Sequence, residues 1–386
     1  MNKVLVTIVI AQFFCTSLWF AGNAIIPDII SNLHLSQSFL AQFTSAIQLG
    51  FIAGTLLFAV LYISDRFSPS LIFLVCAILA AACNLVLIVN NINTTWLLFF
   101  RFLTGFFLAG IYPVGTKIAA DYYQKGLGKS LGFLVGALVL GTAFPHLLKS
   151  ITAKFPFNYV IYTTSLLSLL GGHILFLVVP DGPYRKLGQR IRFTAFLEGF
   201  KNKQFRLVAL GYFGHMWELY AFWTFVPVML TTYKKHFPNT VLNVPLLSFF
   251  IIAIGSLACV CSGLLSQKLK SEKIATVALL LSCLCCLFSP LFLLNNSLAA
   301  LLIFLFFWAF VVIADSPLFS TLVAQSAPEA SKGTSLTIVN CIGFSITIIS
   351  IQFISALSSK IGTQYIYMFL AIGPILGLVA MLRREN

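Results

Sequence analysis

The chain has 386 residues, of which 59% are hydrophobic and 9% charged, whereas soluble domains carry about 25% charged residues. That balance excludes a soluble globular enzyme, and no segment between the apolar runs is long enough to hold a separate soluble catalytic domain. A net charge of +14 would suggest nucleic acid in a soluble protein, but here it follows from where lysine and arginine flank apolar runs, so no nucleic-acid partner is expected.

Apolar runs of 18 or more residues recur from end to end, and twelve membrane spans are expected. They fall at approximately 4–30, 38–62, 70–91, 95–121, 130–151, 158–180, 206–232, 245–266, 274–295, 297–323, 333–357 and 363–382. The first begins at Val4 behind Lys3 and continues past Trp19 and Phe20. It is long for a signal-peptide core and no A-x-A pattern follows, so it is read as span 1. Within it Gln12, Thr16, Trp19 and Asn23 recur at helical spacing, a polar stripe on an apolar helix. Such a stripe fits the lining of a hydrated cavity, and helix–helix hydrogen bonding is the alternative.

Span 2 carries Gly50-x3-Gly54, spacing that lets helices approach closely, and Asp65-Arg66 follows it. Arg101 lies about two turns into span 4, where it either serves a buried site or snorkels to an interface. Gly128, Gly132 and Gly136 form a smooth ridge on span 5. His146 and His173 stand alone and read as packing residues.

Span 7 contains LGYFGHMWELYAFWTFVP from Leu210 to Pro227. Glu218 sits about 12 residues into this span, near mid-depth at roughly 1.5 Å per residue. His215 is one turn earlier, on nearly the same face. A carboxylate at mid-membrane costs about 2.5–3.5 kcal/mol on the mildest insertion scale, so its presence points to use. Asp315, just before Pro317 in span 10, is the other acid deep inside a span; it either shares a cavity with Glu218 or caps a helix break. For Glu218 the structural alternative is a hydrogen bond to His215 or to another helix's backbone. Span 11 has a shorter polar stripe of Thr337, Asn340 and Thr347.

All nine cysteines lie in apolar runs, so no disulfide framework is expected, and Cys283-Leu-Cys-Cys286 reads as small residues packing helices rather than a metal site. No phosphate loop, metal-ligand spacing or nucleophile–base pair stands out. Hence no catalytic residue, metal or cofactor is expected.

Basic residues orient the chain. With the N-terminus cytoplasmic, eighteen of the 24 lysines and arginines face the cytoplasm, five face the other side, and Arg101 is internal. Both termini are therefore expected in the cytoplasm. The longest connection, Pro180–Gln204, is polar and basic and divides the spans six and six. The expected organisation is a six-helix bundle at 1–180, a cytoplasmic basic linker at 181–205 and a second bundle at 206–386.

The halves repeat at offsets of about 200 residues. Pro27 answers Pro227, Ser64-Asp65-Arg66 answers Ser266-Gln267-Lys268, Pro113 answers Pro317, and Gly128-Lys-Ser-Leu131 answers Gly333-Thr-Ser-Leu336. The ionisable groups do not repeat: Leu18 stands against Glu218 and Ile111 against Asp315.

Twelve spans, a basic central loop and a six-plus-six repeat resemble the major facilitator superfamily of secondary transporters over essentially the whole chain. Leu61-Tyr-Ile-Ser-Asp65-Arg66-Phe-Ser-Pro-Ser70 resembles the family's loop between spans 2 and 3, keeping the acid–base pair but neither glycine. Arg101-Phe-Leu-Thr-Gly105 matches the span-4 motif. Gly132-x3-Gly136-Ala-x3-Gly141 is similar to an antiporter signature, with Ala137 and Leu140 departing from it. GHMWELYAFW, ADSP at 314–317 and NCIGF at 340–344 resemble a bacterial subgroup of no named substrate.

The resemblance implies an all-α polytopic fold of two six-helix bundles, in a bacterial inner membrane, as a monomer within the lipid bilayer. It implies a transporter of a small solute by alternating access, proton-coupled through Glu218, Asp315, Arg101 and His215. Gln12, Thr16, Trp19, Asn23 and Asn340 would line the cavity, and Asp65 and Arg66 would act as a cytoplasmic latch. A facilitative uniporter, a small-anion importer and a transport-inactive receptor or sensor are the alternatives.

Overall fold

The computed structural model describes residues 3–89, 92–123, 127–185, 199–327 and 332–385. Among them all regular structure is helical. Eleven helices are long and apolar enough to cross a membrane. The twelfth, Lys203–His236, has 34 residues and misses that criterion because His215, Glu218 and a run of Tyr and Trp dilute its apolar content. It outruns the expected 206–232 at both ends. Asn202 caps its start by accepting from the backbone N–H groups of Gln204 and Phe205 at 2.9 and 3.4 Å. Lys234, Lys235 and His236 occupy its last turn, where cations favour the negative end of the helix dipole.

The chain forms two compact units, Met1–Ile191 and Arg192–Asn386. Residues 186–198, most of the basic segment between spans 6 and 7, lie outside the described residues, as do residues 124–126 and 328–331.

In the first unit, span 1 (Lys3–Asn32) packs on span 5 (Leu127–Ile151) and span 6 (Asn158–Val178). Span 2 (Phe39–Val60) packs on span 4 (Thr94–Tyr122), and span 3 (Pro69–Ile88) on span 6. Glycine sets the span 2–span 4 distance. A Cβ on Gly50 would lie 1.9 Å from the Phe102 carbonyl oxygen, one on Gly54 2.3 Å from that of Phe106, and one on Gly105 2.0 Å from that of Ile47. Backbone therefore meets backbone along this seam.

In the second unit, span 7 (Lys203–His236) packs on spans 11 (Lys332–Leu357) and 12 (Ile366–Arg383). Span 10 (Leu298–Ser326) packs on spans 8 (Val244–Leu265) and 9 (Ser271–Leu293). Gly214 and Gly373 face each other across spans 7 and 12, each leaving room for the other's carbonyl.

Three spans are broken just before a proline. Span 1 stops at Ala24 and restarts at Ile26, span 4 stops at Leu108 and restarts at Tyr112, and span 10 stops at Ala314 and restarts at Ser316. Pro27, Pro113 and Pro317 each enter the first turn of the new segment, where a missing N–H costs nothing. Span 7, the repeat partner of span 1, instead runs unbroken through Pro227. The Pro113/Pro317 pair thus shares its break while the Pro27/Pro227 pair does not, and the face of span 7 around Glu218 stays on one continuous helix.

Candidate functional site

Glu218 lies on the continuous part of span 7 and is 1% exposed. Its Oε1 accepts from the indole Nε1 of Trp308 on span 10 at 2.6 Å and from the thiol of Cys286 on span 9 at 3.2 Å. These donors are neutral, the Ser282 hydroxyl of span 9 also lies beside the carboxyl, and among the described residues no lysine or arginine pairs with it. Trp308 was not singled out by the sequence, and Cys286 reads there only as one of the small residues that pack helices. Trp308 had one usable signal: it precedes Asp315 by two helical turns and so shares its face. Cys286 had none, because a buried cysteine among apolar residues ordinarily only fills space.

His215 does not turn to Glu218, the partner that the spacing on span 7 offers as the structural alternative. Its Nδ1 lies 2.8 Å from Oδ1 of Asp315, with both side chains 1% exposed. The correction follows from span 10. Asp315 occupies the single non-helical residue between two segments, which turns its side chain onto span 7. There it meets His215 before Glu218 can. The backbone at Asp315 also starts the second segment, its carbonyl accepting from Leu318 and Phe319 at 3.0 and 2.8 Å. The aspartate side chain makes no capping hydrogen bond to that segment. Around the pair, the rings of Tyr212 and Phe319 lie 6.1 and 6.0 Å from the imidazole. Among the described residues neither His215 Nε2 nor Asp315 Oδ1 has a hydrogen-bond partner, so the pair is a close polar contact rather than an aligned hydrogen bond.

Arg101 lies in the first unit and is fully buried rather than snorkelling. Its Nη1 donates to the Leu18 carbonyl at 2.9 Å, and its Nη2 donates to the Trp19 carbonyl and to Asn23 Oδ1, the latter at 3.2 Å. The guanidinium carbon stands 5.1 Å from the centroid of Phe43, a cation–π arrangement. All these acceptors are neutral. They belong to the last two turns before the break in span 1, where the helix dipole concentrates negative potential. Gly22 makes this possible, since a Cβ there would lie 2.3 Å from Phe43.

The span 1 stripe is turned inward. Gln12 and Thr16 are fully buried, Trp19 is buried, and Asn23 donates to Thr44 Oγ1 at 2.7 Å. The Thr16 hydroxyl returns to its own helix, donating to the Gln12 carbonyl at 2.7 Å. Neither amide atom of Gln12 has a partner, and the same holds for Gln48 on span 2, which the sequence did not flag. Asn340, half-buried on span 11, accepts from the Tyr212 hydroxyl at 3.1 Å. The structure gathers Trp19, Asn23 and Arg101 in the first unit, and His215, Glu218 and Asp315 in the second.

At the loop between spans 2 and 3, Asp65 pairs with Lys117 of span 4, while Arg66 is exposed. The cation that Asp65 meets is thus Lys117 of span 4, whereas the expected latch joins Asp65 with Arg66. The short turn Ile63–Arg66 begins after Tyr62, whose left-handed backbone (φ 54°) costs a non-glycine residue about 1–2 kcal/mol. Arg185, just past span 6, pairs with Asp181 and donates to the carbonyls of Asp65 and Phe67 at 3.1 and 2.8 Å. Ser68 also donates to Asp181, at 2.7 Å. This clasp is partly exposed, so Arg185→Ala should change the melting stability by no more than about 1 kcal/mol. It should nonetheless release residues 181–185, so that chymotryptic cleavage after Tyr184 becomes about fivefold faster or more. Unchanged cleavage would show that Arg185 does not hold the segment.

Residues 8–351 match the family model of the Major Facilitator Superfamily. Over 131 residues the chain is 30% identical to solute carrier family 22 member 2 of Oryctolagus cuniculus, a stretch covering 32% of this chain and only 23% of that protein. Two solved structures share the fold at 15% identity. A bacterial homolog of the human lysosomal transporter Spinster, inward-facing and unoccupied, superposes with a TM-score of 0.71 over 100% of this chain and 96% of its own. The human organic anion transporter MFSD10 (TETRAN) superposes with a TM-score of 0.74 over 99% and 100%.

Proposed function

The chain belongs to the Major Facilitator Superfamily, and on that premise we propose that it is a proton-coupled secondary transporter of a small solute, working by alternating access between two six-helix halves. The observation that carries the proposal is the environment of Glu218: a carboxyl at span depth, buried, held by an indole and a thiol beside the Ser282 hydroxyl, with no cation paired to it among the described residues. A structural carboxylate in such a place would be expected to have an arginine or lysine partner. One that must change charge is better served by neutral donors, which neither forbid protonation nor leave the anion bare.

The acids then divide the work. Asp315, tied to His215 at the break in span 10, sets the angle at which that helix meets span 7. Glu218 exchanges the proton, which requires a second conformation in which its carboxyl meets water. Arg101 braces the break in span 1. Both termini are assigned to the cytoplasm of a bacterial inner membrane, following the asymmetry of lysine and arginine, and the chain works as a monomer.

A second reading, import of a small anion, draws on Arg101, whose buried guanidinium has only neutral acceptors. Both readings are tested in proteoliposomes carrying an imposed pH gradient, with a panel of small organic anions, cations and neutral solutes offered outside. Glu218→Gln should lower gradient-driven uptake by about tenfold or more, because an amide occupies the same space but exchanges no proton. Unchanged uptake in that variant removes Glu218 from coupling. Uptake confined to anions and indifferent to the gradient favours the second reading.

A further inference from the structure

We propose that Trp308 is the positioning residue of the coupling carboxyl: with the thiol of Cys286 it holds one oxygen of Glu218, so that the other oxygen takes and gives the proton. The proposal rests on the reading of Glu218 given above.

Both donors converge on Oε1, the indole at 2.6 Å and the thiol at 3.2 Å. The Ser282 hydroxyl of span 9, also beside the carboxyl, gives its own hydrogen to the Leu279 carbonyl at 3.1 Å and so can accept from a protonated carboxyl. An oxygen already accepting two hydrogen bonds has no lone pair well placed for a proton, so protonation is directed to Oε2. The step is simple in atoms. A hydronium ion gives its proton to Oε2 and leaves as water; on the other side of the cycle the O–H bond breaks and the proton returns to water. The indole N–H donates but cannot accept, so it competes for no proton and stays bonded through both halves. Its bond is stronger to the carboxylate than to the neutral acid, which favours release.

Packing fixes where this donor points. Trp308 is fully buried, with the ring of Phe222 at 4.7 Å and that of Phe304 at 5.6 Å. Phe304 is itself stacked on Phe292 at 4.2 Å and 5°. The indole is therefore oriented by three other aromatic residues rather than by Glu218. The titratable groups near the carboxyl are His215 on its own helix, Asp315 on span 10, and Cys283, Cys285 and Cys286 on span 9. Span 10 carries both Trp308 and Asp315, so a shift of that helix along span 7 would disturb the donor to Glu218 and the partner of His215 together. Transport movement and proton exchange are linked through this one helix.

The test needs no solute, because the probe is the proton itself. The full-length chain is reconstituted on a solid-supported membrane and given pH jumps in both directions, and the charge-displacement transient is recorded. The wild type should give a transient, and Glu218→Gln should reduce it by about tenfold or more. Trp308→Phe keeps the ring but loses the N–H, and should slow the proton-release transient by roughly tenfold. Cys286→Ser puts a stronger donor on the same oxygen. In the Trp308→Phe background it should restore release to within about threefold of wild type, a rescue that lost ring packing would not permit. A wild-type rate in Trp308→Phe, with the transient still lost in Glu218→Gln, overturns the role of Trp308 and leaves Glu218 standing. A transient that survives Glu218→Gln, or is absent from the wild type, overturns the reading of Glu218 itself. Should Trp308→Phe fail to fold, as judged by gel filtration and circular dichroism, Cys286→Ser alone decides: it should speed release, and an unchanged rate overturns the proposal.

Discussion

Gly105→Ala is expected to stop the first unit from packing, at a cost of about 3 kcal/mol or more. In an ordinary helix the change would help, since alanine is favoured over glycine by about 0.5–1 kcal/mol. Here the added methyl would stand 2.0 Å from the carbonyl oxygen of Ile47 and 2.8 Å from its carbonyl carbon. Both are backbone, so no rotamer change relieves the clash and spans 2 and 4 must separate. The separation cannot stay local, because Gly50 and Gly54 bring span 2 just as close to Phe102 and Phe106. Lipid offers no hydrophobic force to close the gap again, since a bilayer solvates an exposed apolar helix as well as a neighbouring helix does. The variant should elute as aggregate in gel filtration, or melt well below wild type in detergent. Gly333→Ala is the control: a Cβ there has no atom within 4 Å, and its melting point should not fall. A wild-type melt for Gly105→Ala would mean that spans 2 and 4 do not meet backbone to backbone at this seam.

The second large effect concerns the buried pair on spans 7 and 10. Removing one partner leaves the other buried without it, which typically costs about 3–5 kcal/mol. Asp315→Ala removes the carboxylate oxygen 2.8 Å from Nδ1 of His215, and Nε2 has no hydrogen-bond partner among the described residues. His215→Phe keeps the tilted ring contacts with Tyr212 and Phe319 but strands the carboxyl of Asp315. The double variant removes both polar groups, and it should be more stable than the sum of the single losses by roughly 2–3 kcal/mol. Unfolding in mixed micelles supplies the four stabilities that the cycle needs. Additive losses, within about 0.5 kcal/mol, would show that the two side chains do not work as a pair.

Much of the frame was legible in the chain itself. The expected spans recur as helices, because a backbone in hydrocarbon has to satisfy its own hydrogen bonds and a long apolar run can do so only as a helix. Span 7 is the informative exception. Its polar content, the feature that drew attention to it, is also what leaves it outside the eleven clearly apolar helices. The close approach expected of Gly50 and Gly54 is present and leads to span 4, a partner that spacing on one helix could not identify. Pro27, Pro113 and Pro317 mark breaks, whereas Pro227 does not, although all four look alike as residues. Spacing on span 7 likewise offered His215 as a partner for Glu218, and the break in span 10 gave His215 to Asp315 instead.

The sequence by itself determined that this is a polytopic helical membrane protein of a transporter superfamily, and that a few ionisable residues sit where hydrocarbon makes them costly. Those conclusions depend on hydropathy and on spacing along one helix, both local properties. Only the tertiary structure decided that Trp308 and Cys286 hold Glu218, that His215 holds Asp315, and that Arg101 closes on the carbonyls of span 1. The physical reason is that a partner on another helix is selected by which faces meet and where a helix breaks. Both are set by packing between residues 60 to 100 positions apart in the chain, and no single helix carries that information.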